Sequence, residues 1–335
     1  MSRATLKTIA TRTGLSVTTV SRALKDGAEV KPDTIARVKA IASELGYRPN
    51  TSGLSLKTGQ TFDLALIVPV IKPGDVIGDI GTLPLIEGLT AGISQTEYHL
   101  TVIPHNPDDD EMVPVQYVVE KGLADGVILT STRAVDQRVM YLSDKKMPFV
   151  TFGRTELATQ HPWYDIDNMD FTYQAARLLY QKGRKNLVLV TPDPSFLYGW
   201  HRITGFRRAA NEFGVELQDE RNILIETHTD DHRAFVEQAC AWDNPPDGYI
   251  CGTEIAALAI SSTLQNAGLL PGRQADVVTM EASRLAEFYH PPLTGFTQDL
   301  HRAGRMLSTL LLRAIKGESV SRLQVLDKAA MTLRG

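Results

Sequence analysis

Cysteine is scarce in this chain: Cys240 and Cys251 are the only two among 335 residues. They have neither the spacing of metal ligands nor the pattern of a disulfide framework. This scarcity excludes a fold stapled by disulfides, and it predicts a protein of the reducing cytoplasm.

Long hydrophobic runs are also missing. A membrane-spanning helix needs about 18 consecutive apolar residues. The longest runs here are strand-sized, such as LALIVPV at 64–70. The first residues, MSRATLKTIATRTG, lack the continuous apolar core of a signal peptide. We therefore predict a cytoplasmic location and no membrane partner.

Motifs for nucleotide binding and catalysis do not occur. The sequence contains no GxxxxGK(S/T), no GxGxxG after a strand, no HExxH and no GxSxG. Its eight histidines are not clustered at metal-ligand spacings, so we predict neither a metal nor a cofactor. The pair Asp165 and Asp167 could serve glycoside hydrolysis, but any acidic loop offers such a pair. We predict that the chain is not an enzyme.

Charge is present but unevenly divided. Residues 1–60 hold ten Lys and Arg against four Asp and Glu, a charge of +6. The remainder holds 25 against 35, a charge of −10. A basic N-terminal segment on an acidic body indicates a polyanionic partner for that segment alone.

The basic segment has the pattern of a helix-turn-helix. Thr5 and Ser16 are placed to cap two short helices, and Gly14 suits the tight turn between them. A third helix is predicted after Pro32 and before Gly46. In this arrangement the second helix projects its polar face into a DNA major groove. A protein–protein module or an ordinary three-helix bundle is the alternative interpretation.

Two sets of DNA-binding residues follow from this interpretation. The second helix would present base-reading side chains, namely Val17, Thr18, Thr19 and Arg22. Other polar residues would contact phosphates, namely Thr5, Ser16, Ser21 and Lys31. Asn50 can cap a short helix after Pro49, and Leu56 on that helix would wedge into a minor groove. A flexible linker is the alternative for this stretch.

The order of these motifs resembles that of the lactose-repressor (LacI/GalR) family of bacterial transcription regulators. The matching segments are TIATRTGLSVTTVSRAL (8–24), IASELGYRPN (41–50), LSLKTGQT (54–61), DN (167–168), RITGF (202–206), CGTEIAAL (251–258) and PPLTGFTQD (291–299). The resemblance implies that Leu56 is a hinge-helix wedge, that Lys57 binds beside it, and that Arg202 forks onto an effector. Glu281 and Ala282 stand where the family often has two aspartates.

From residue 62 the chain alternates apolar strand candidates with amphipathic stretches, which predicts parallel sheets built from βαβ units. The predicted fold class is α/β, with a three-helix domain at 1–49, a hinge helix and linker at 50–61, and a body at 62–335. The resemblance implies a two-lobed, periplasmic-binding-protein-like body with three crossovers, near 154–162, 292–297 and 317–323. The expected lobes are 62–156 with 297–320, and 157–296 with 321–335.

Ligands of such folds bind at the carboxyl ends of the strands, in the cleft between lobes. The residues expected there are Pro69, Thr130, Ser131, Arg154, Asp167, Asp170, Phe196, Trp200, Arg202, Thr253, Glu254 and Glu281. Three of them have a plainer alternative: Arg202 as a surface salt-bridge partner, Asp167 as a helix cap, and Glu281 as a solvated acid.

This residue set suits a neutral, polyhydroxylated ligand, with aromatic side chains that can stack on sugar rings. We predict a homodimeric repressor of a carbohydrate operon, relieved by a sugar such as an α-glucoside-type disaccharide. Its two heads would read a pseudo-palindromic operator in double-stranded DNA. The alternatives are a nucleobase or phosphosugar effector, a DNA-tethered sugar-processing enzyme, or an architectural protein with an inert body.

Overall fold

The computed structural model describes residues 4–47, 59–69, 80–106, 109–226, 229–270 and 272–334. The chain forms two compact units, residues 1–60 and residues 61–335, which we call the head and the body. Among the described residues, no helix is long and apolar enough to cross a membrane.

The described residues of the head form three helices, and capping side chains begin the first two. The helices are α1 (Leu6–Thr13), α2 (Val17–Ala23) and α3 (Pro32–Glu44). Thr5 and Thr8 form a reciprocal capping box at the start of α1. The Ser16 hydroxyl accepts the Thr19 N–H at 3.1 Å and caps α2. Gly14 turns the chain at φ 69°, in the left-handed region. The predicted caps and turn are confirmed.

One small core holds these helices together. Its fully buried members are Ile9, Ala10, Val20, Ala23, Val38 and Ala42. They lie on the apolar stripes predicted from helical spacing, so each helix buries one face and leaves the other to solvent. The pair α1 and α2, joined by the turn at Gly14, is the predicted helix-turn-helix.

The body is an α/β structure with two six-stranded sheets. Its helices are α4 (Thr82–Ile93), α5 (Met112–Glu120), α6 (Gln137–Asp144), α7 (Asn168–Gln181), α8 (Leu197–Glu212), α9 (Asp219–Asn222), α10 (Thr229–Ala239), α11 (Glu254–Asn266), α12 (Leu285–Phe288) and α13 (Leu300–Ile315). A 3-10 turn follows at Val320–Arg322.

The first sheet, with its helices, forms one lobe. Its strands are β1 (Asp63–Pro69), β2 (His99–His105), β3 (Gly126–Leu129), β4 (Phe149–Phe152), β5 (Trp163–Ile166) and β11 (Gln324–Asp327), in the order β11-β5-β4-β3-β1-β2. All five pairings are parallel. The carboxyl ends of these strands therefore meet at one edge of the sheet.

The second sheet forms the other lobe. Its strands are β6 (Leu187–Thr191), β7 (Ile223–Ile225), β8 (Gly248–Cys251), β9 (Asp276–Glu281), β10 (Thr294–Thr297) and β12 (Ala330–Thr332), in the order β12-β10-β9-β8-β6-β7. Only β12 in this sheet runs antiparallel, against β10. The apolar runs predicted as strands correspond to β1–β4, β6, β8 and β9. Most residues of these strands are buried, as parallel strands covered on both faces require, except in the edge strand β2, whose residues are exposed or half-buried.

The expected lobe boundaries need a correction. We expected residues 157–296 and 321–335 to form the second lobe, but β5 and β11, which lie within those ranges, pair with each other in the first sheet. The chain therefore crosses between lobes after Ile166, after Thr297 and after Asp327. The error arose because β5, with the sequence WYDI, has no apolar run that marks it as a strand.

Two helices far apart in sequence cover one face of the first sheet. Helices α4 and α13 pack closely, with Gly88 and Gly304 at their contact. A Cβ atom on Gly88 would overlap the carbonyl oxygen of His301, and one on Gly304 would overlap that of Leu85. These glycines allow the two helices to approach main chain to main chain.

Candidate functional site

The exposed face of α2 carries the residues predicted to read base edges. Val17, Thr18 and Arg22 are exposed, and Val17 leaves 40% of its surface accessible. Thr19 is half-buried, and its hydroxyl lies 2.8 Å from that of Ser16. The first turn of α2 is therefore accessible to a groove.

The residues predicted to contact phosphates surround this face. Thr5, Ser16 and Lys31 are exposed, whereas Ser21 is half-buried. The first turns of α1 and α2 contain no acidic residue. A phosphate can therefore approach the N–H groups at these helix starts without repulsion from a neighbouring carboxylate.

Arg22 is only loosely held in the head. Its Nε atom lies 3.3 Å from Oε1 of Glu29, and the two side chains are 58% and 55% exposed. Exposed pairs of this kind contribute about 0–1 kcal/mol. Arg22 can therefore exchange Glu29 for a base or phosphate at little cost. The other predicted DNA contacts, Asn50, Leu56 and Lys57, lie outside the described residues.

The body offers a second candidate site between its lobes. Strand ends of both sheets carry most of the expected effector residues, namely Pro69 at β1, Thr130 and Ser131 after β3, Arg154 after β4, Asp167 after β5, Thr253 after β8 and Glu281 at β9. The two edges meet directly, because the Leu197 N–H donates to the Thr132 carbonyl at 2.9 Å. The expected cleft therefore lies at the carboxyl ends of both sheets.

Arg202, on α8, is the central cation of this cleft. The residue is 5% exposed, so its interpretation as a surface salt-bridge partner is wrong. Its Nε donates to Oδ1 of Asn168 at 2.8 Å, and its Nη1 donates to the Gly252 carbonyl at 3.3 Å. The guanidinium also lies 5.5 Å from the centre of the Tyr198 ring. These contacts fix the plane of the guanidinium before any ligand arrives.

A half-buried carboxylate, that of Glu226, opposes the charge of Arg202. Burial raises the pKa of Glu226, while Arg202 and the Thr253 hydroxyl, 3.0 Å from Oε1, oppose that rise. Burial likewise lowers the pKa of Arg202, and Glu226 opposes that shift. Sequence analysis missed Glu226 because it follows β7, a strand of three residues that was not predicted.

An ion pair lies at the edge of the first sheet. The Arg154 Nε is 3.1 Å from Oδ2 of Asp165, and that aspartate is 5% exposed. Burial raises the pKa of Asp165 to about 6, although Arg154 partly counteracts it. The two side chains therefore bring nearly balanced charge to the cleft.

Asp167 and Asp170 act within the chain. Asp167 caps α7, because its Oδ1 accepts the Asp170 N–H at 2.9 Å. The plainer interpretation of Asp167 as a helix cap is thus confirmed. Asp170 lies 3.3 Å from Nζ of Lys328, just beyond the third crossover. Asp167 therefore stabilises the helix that follows the first crossover, and Asp170 pairs with a residue at the third crossover.

Two other acids differ from the expectation that they contact an effector. Glu254 accepts the N–H groups of Ala282 and Ser283, at 3.1 and 3.0 Å. Glu281 is 1% exposed and forms a two-pronged ion pair with Arg334, so it is not a solvated acid either. Both carboxylates are satisfied by the chain itself. The Glu281 ion pair could not be predicted from neighbouring residues, because Arg334 lies 53 residues from Glu281 in sequence.

The aromatic residues near the cleft divide into two kinds. Trp200 is 45% exposed, and Phe196 is half-buried at the start of α8. Tyr164 is instead a core residue, whose hydroxyl donates to Oδ2 of Asp327 at 2.8 Å. Trp200 therefore offers a flat surface with which a ring could stack, whereas the Phe196 ring already contacts the Arg133 guanidinium and stacks with Tyr198.

Three buried polar atoms near the strand ends have no hydrogen-bond partner among the described residues. They are Oγ1 of Thr130, Oγ1 of Thr191 and Nδ1 of His201. Burial lowers the pKa of His201 to about 4, so the imidazole is neutral at pH 7. Leaving such groups unpaired costs about 1–3 kcal/mol each, which favours a polar ligand or water at this place. Among the described residues, no cluster of His, Cys, Asp and Glu could hold a metal.

Comparison with known proteins agrees with this two-part architecture. A family model described as periplasmic binding proteins and sugar binding domain of the LacI family matches residues 83–328. A second, described as bacterial regulatory proteins of the lacI family, matches residues 5–50. The chain belongs to the LacI family. It is a DNA-binding transcription regulator, not an enzyme.

Two curated LacI-family relatives align over nearly the whole chain. The transcriptional regulator AglR of Rhizobium meliloti is 30% identical over 98% of this chain and 93% of its own length. The regulator RafR of Escherichia coli is 29% identical over 96% of this chain and 94% of its own length.

Solved structures show the same fold. The lac repressor dimer bound to operator and the anti-inducer ONPF has a TM-score of 0.82 at 17% identity, covering 99% of this chain and 98% of that one. The regulator CelR in complex with cellobiose has a TM-score of 0.71 at 24% identity, covering 99% of each chain.

Proposed function

We propose that this LacI-family regulator represses a carbohydrate uptake or catabolism operon and is relieved by a sugar bound in the interlobe cleft. The observation that carries the proposal is the held guanidinium of Arg202. Asn168 and Gly252 orient it, and two of its five N–H groups account for those bonds. The remaining N–H groups of the guanidinium can donate paired hydrogen bonds to ligand hydroxyls.

The charge balance of the cleft favours a neutral ligand. Arg154 is paired with Asp165, and Arg202 faces Glu226. A phosphosugar would require an excess of cations that these pairs do not provide. The unpaired hydroxyls of Thr130 and Thr191, which both donate and accept, suit sugar hydroxyl groups.

The size of the effector is a finer part of the proposal. Trp200, 45% exposed at the start of α8, supplies an apolar surface on which a sugar ring could stack. The fold neighbour CelR was solved with the disaccharide cellobiose. We therefore propose a disaccharide as the effector. Cellobiose is β-linked, so the α-glucoside type is a separate part of the proposal, which the panel of sugars below decides.

On DNA, two heads of a homodimer would read the two halves of a pseudo-palindromic operator. Leu56, outside the described residues, would wedge into the minor groove at the centre. Effector binding would move one lobe against the other and change the spacing of the heads. The effector releases the operator to the extent that it binds the DNA-free state of the protein more tightly than the operator-bound state.

A thermal-shift screen of the full-length chain tests the effector class. The panel contains maltose, sucrose, trehalose, melibiose, raffinose and cellobiose, with glucose 6-phosphate and adenine as competing classes. We expect a neutral sugar to raise the melting temperature by several degrees, because ligand at 100 times its Kd stabilises by about 2.7 kcal/mol. The same sugar should release a promoter fragment in fluorescence anisotropy. A shift with only glucose 6-phosphate or adenine contradicts the proposal.

A further inference from the structure

The two lobes touch at a place distinct from the three crossovers. The loop after β3, residues 130–136, meets the start of α8, where Arg133 and Phe196 form an antiparallel bridge. Beside the bridge, the Leu197 N–H donates to the Thr132 carbonyl at 2.9 Å. Main chain from one lobe is thus hydrogen-bonded to main chain from the other.

The side chain of Arg133 reinforces this bridge. Its Nη1 donates to Oγ of Ser195 at 2.9 Å, and its guanidinium carbon lies 4.7 Å above the centre of the Phe196 ring. On its own lobe, its Nε donates to Oε1 of Glu111 at 3.2 Å. One guanidinium therefore joins an acid of the first lobe to a hydroxyl and a ring of the second. We call Arg133, Ser195 and Phe196 the interlobe clasp.

The first-lobe side of the clasp is rigidly built. Arg138 and Asp136 form a buried pair, with side chains 2% and 0% exposed. Asp136 also accepts the Arg133 N–H at 3.2 Å, and Arg138 donates to the Ser131 carbonyl at 3.0 Å. Ser131 is held at φ 55°, a conformation that a non-glycine residue adopts only when its surroundings enforce it. These contacts therefore fix the position of the loop from which the Arg133 side chain extends.

The second-lobe side of the clasp is the beginning of α8. Phe196 occupies the N-cap position, and the Ser195 N–H donates to Oδ1 of Asp193 at 2.7 Å. Trp200 and Arg202 follow within the next two turns of the same helix. A rotation of one lobe against the other that breaks the clasp must move the helix that carries the cleft guanidinium.

We propose that Arg133 is a positioning residue that clasps the lobes and thereby sets the affinity of the cleft for its ligand. The ligand part of this inference rests on the proposed function. The clasp itself does not, because it is a contact of the chain with itself. Arg133 touches no ligand in this scheme and acts through the orientation of α8.

Hydrogen–deuterium exchange on the full-length chain tests the clasp directly. In Arg133→Ala, we expect the segments 130–135 and 194–203 to exchange about tenfold faster, because charge-assisted hydrogen bonds are lost. The core strands at 64–68 and 187–191 should keep the wild-type rate. Unchanged exchange at the clasp overturns the proposal. Equal acceleration in the core strands also overturns it, since that pattern marks a general loss of stability.

Arg313→Ala is the matched control. Arg313 and its partner Glu318 are 37% and 30% exposed, close to the 36% and 27% of Arg133 and Glu111. The control removes an equivalent ion pair from the first lobe, at a place away from the clasp, and should leave both clasp segments protected. Arg133→Lys retains the charge but not the flat guanidinium, and we expect it to restore part of the protection.

Ligand binding supplies the second readout. For whichever sugar of the panel binds wild type, Arg133→Ala should raise the Kd about tenfold, while the ligand-free melting temperature stays within about 2 °C. An unchanged Kd overturns the positioning role. If no sugar in the panel binds wild type, the proposed function fails, and hydrogen exchange still decides whether the clasp exists.

Discussion

The head and the body use ion pairs in opposite ways. Three pairs of the head have side chains between 47% and 65% exposed, namely Arg12–Glu44, Arg22–Glu29 and Lys39–Asp26. Three pairs of the body have carboxylates no more than 5% exposed, namely Arg138–Asp136, Arg154–Asp165 and Arg334–Glu281. The head keeps its cations available, whereas the body uses these cations to fix geometry.

This difference matches what each region must bind. DNA phosphates bind at the protein surface, where a Lys or Arg side chain must leave its carboxylate partner at little cost in free energy. A small effector binds in a cleft, where a guanidinium that is already oriented loses little conformational entropy on binding. Replacing exposed and buried members of these pairs should therefore have unequal effects.

The largest effect is expected from Arg334→Ala. The substitution leaves the buried Glu281 carboxylate without its partner, and breaking such a pair costs about 3–5 kcal/mol of stability. Urea unfolding measures the loss. Arg12→Ala, which breaks an exposed pair in the head, should cost less than about 1 kcal/mol. A similar small loss in both variants would remove the contrast between the regions.

Arg202→Ala should come next. Its loss removes the charge-assisted bonds to the ligand, at about 1.5–3 kcal/mol each, so the Kd for the effector should rise about 100-fold. Calorimetry with the sugar identified in the panel measures this change. Operator affinity without sugar should remain near wild type. A variant that still responds normally to sugar would place Arg202 outside the binding site.

Arg22→Ala should weaken operator binding about 10- to 100-fold, as expected for loss of a base contact worth about 1–3 kcal/mol. Arg12→Ala removes the same charge from the same head and serves as the control. We expect anisotropy titrations to show a much smaller loss for that control. Equal losses would assign to Arg22 a merely electrostatic role.

The smallest effect concerns pH. Burial lowers the pKa of His201 to about 4 from its ordinary 6.5, so the folded state resists protonation. The contribution of His201 to stability should therefore fall by about 1–2 kcal/mol as the pH falls from 6.5 to about 5. His201→Gln has no such proton to bind and should lose correspondingly less. Parallel acid unfolding curves for the two proteins would show that His201 contributes nothing.

Features governed by neighbouring residues could be predicted from the sequence. Thr5, Gly14, Ser16 and Pro32 act within a few residues of themselves, and each stands where capping and turn chemistry place it. The buried strands were predictable because parallel strands covered on both faces are continuous apolar runs.

Features that depend on distant contacts could not be predicted. Nothing near Glu281 or Glu254 in sequence reveals Arg334 or the N–H groups of Ala282 and Ser283. The clasp was missed for the same reason, since Arg133 and Ser195 are 62 residues apart. In the cleft, Arg202 lies in the RITGF motif of the resemblance, but its partner Asn168 lies in the separate DN motif and was given no role.

The pairing of β11 with β5 has a consequence for the order in which the protein is made. Helix α4 lacks its companion until residue 315 has been synthesised, and the first sheet lacks its edge strand until residue 327. The described core of the head lies within residues 6–47, so it can fold while most of the body is still untranslated. A nascent chain stalled before α13 should therefore have a folded head and an incompletely folded body, whose exposed apolar surfaces chaperones would bind.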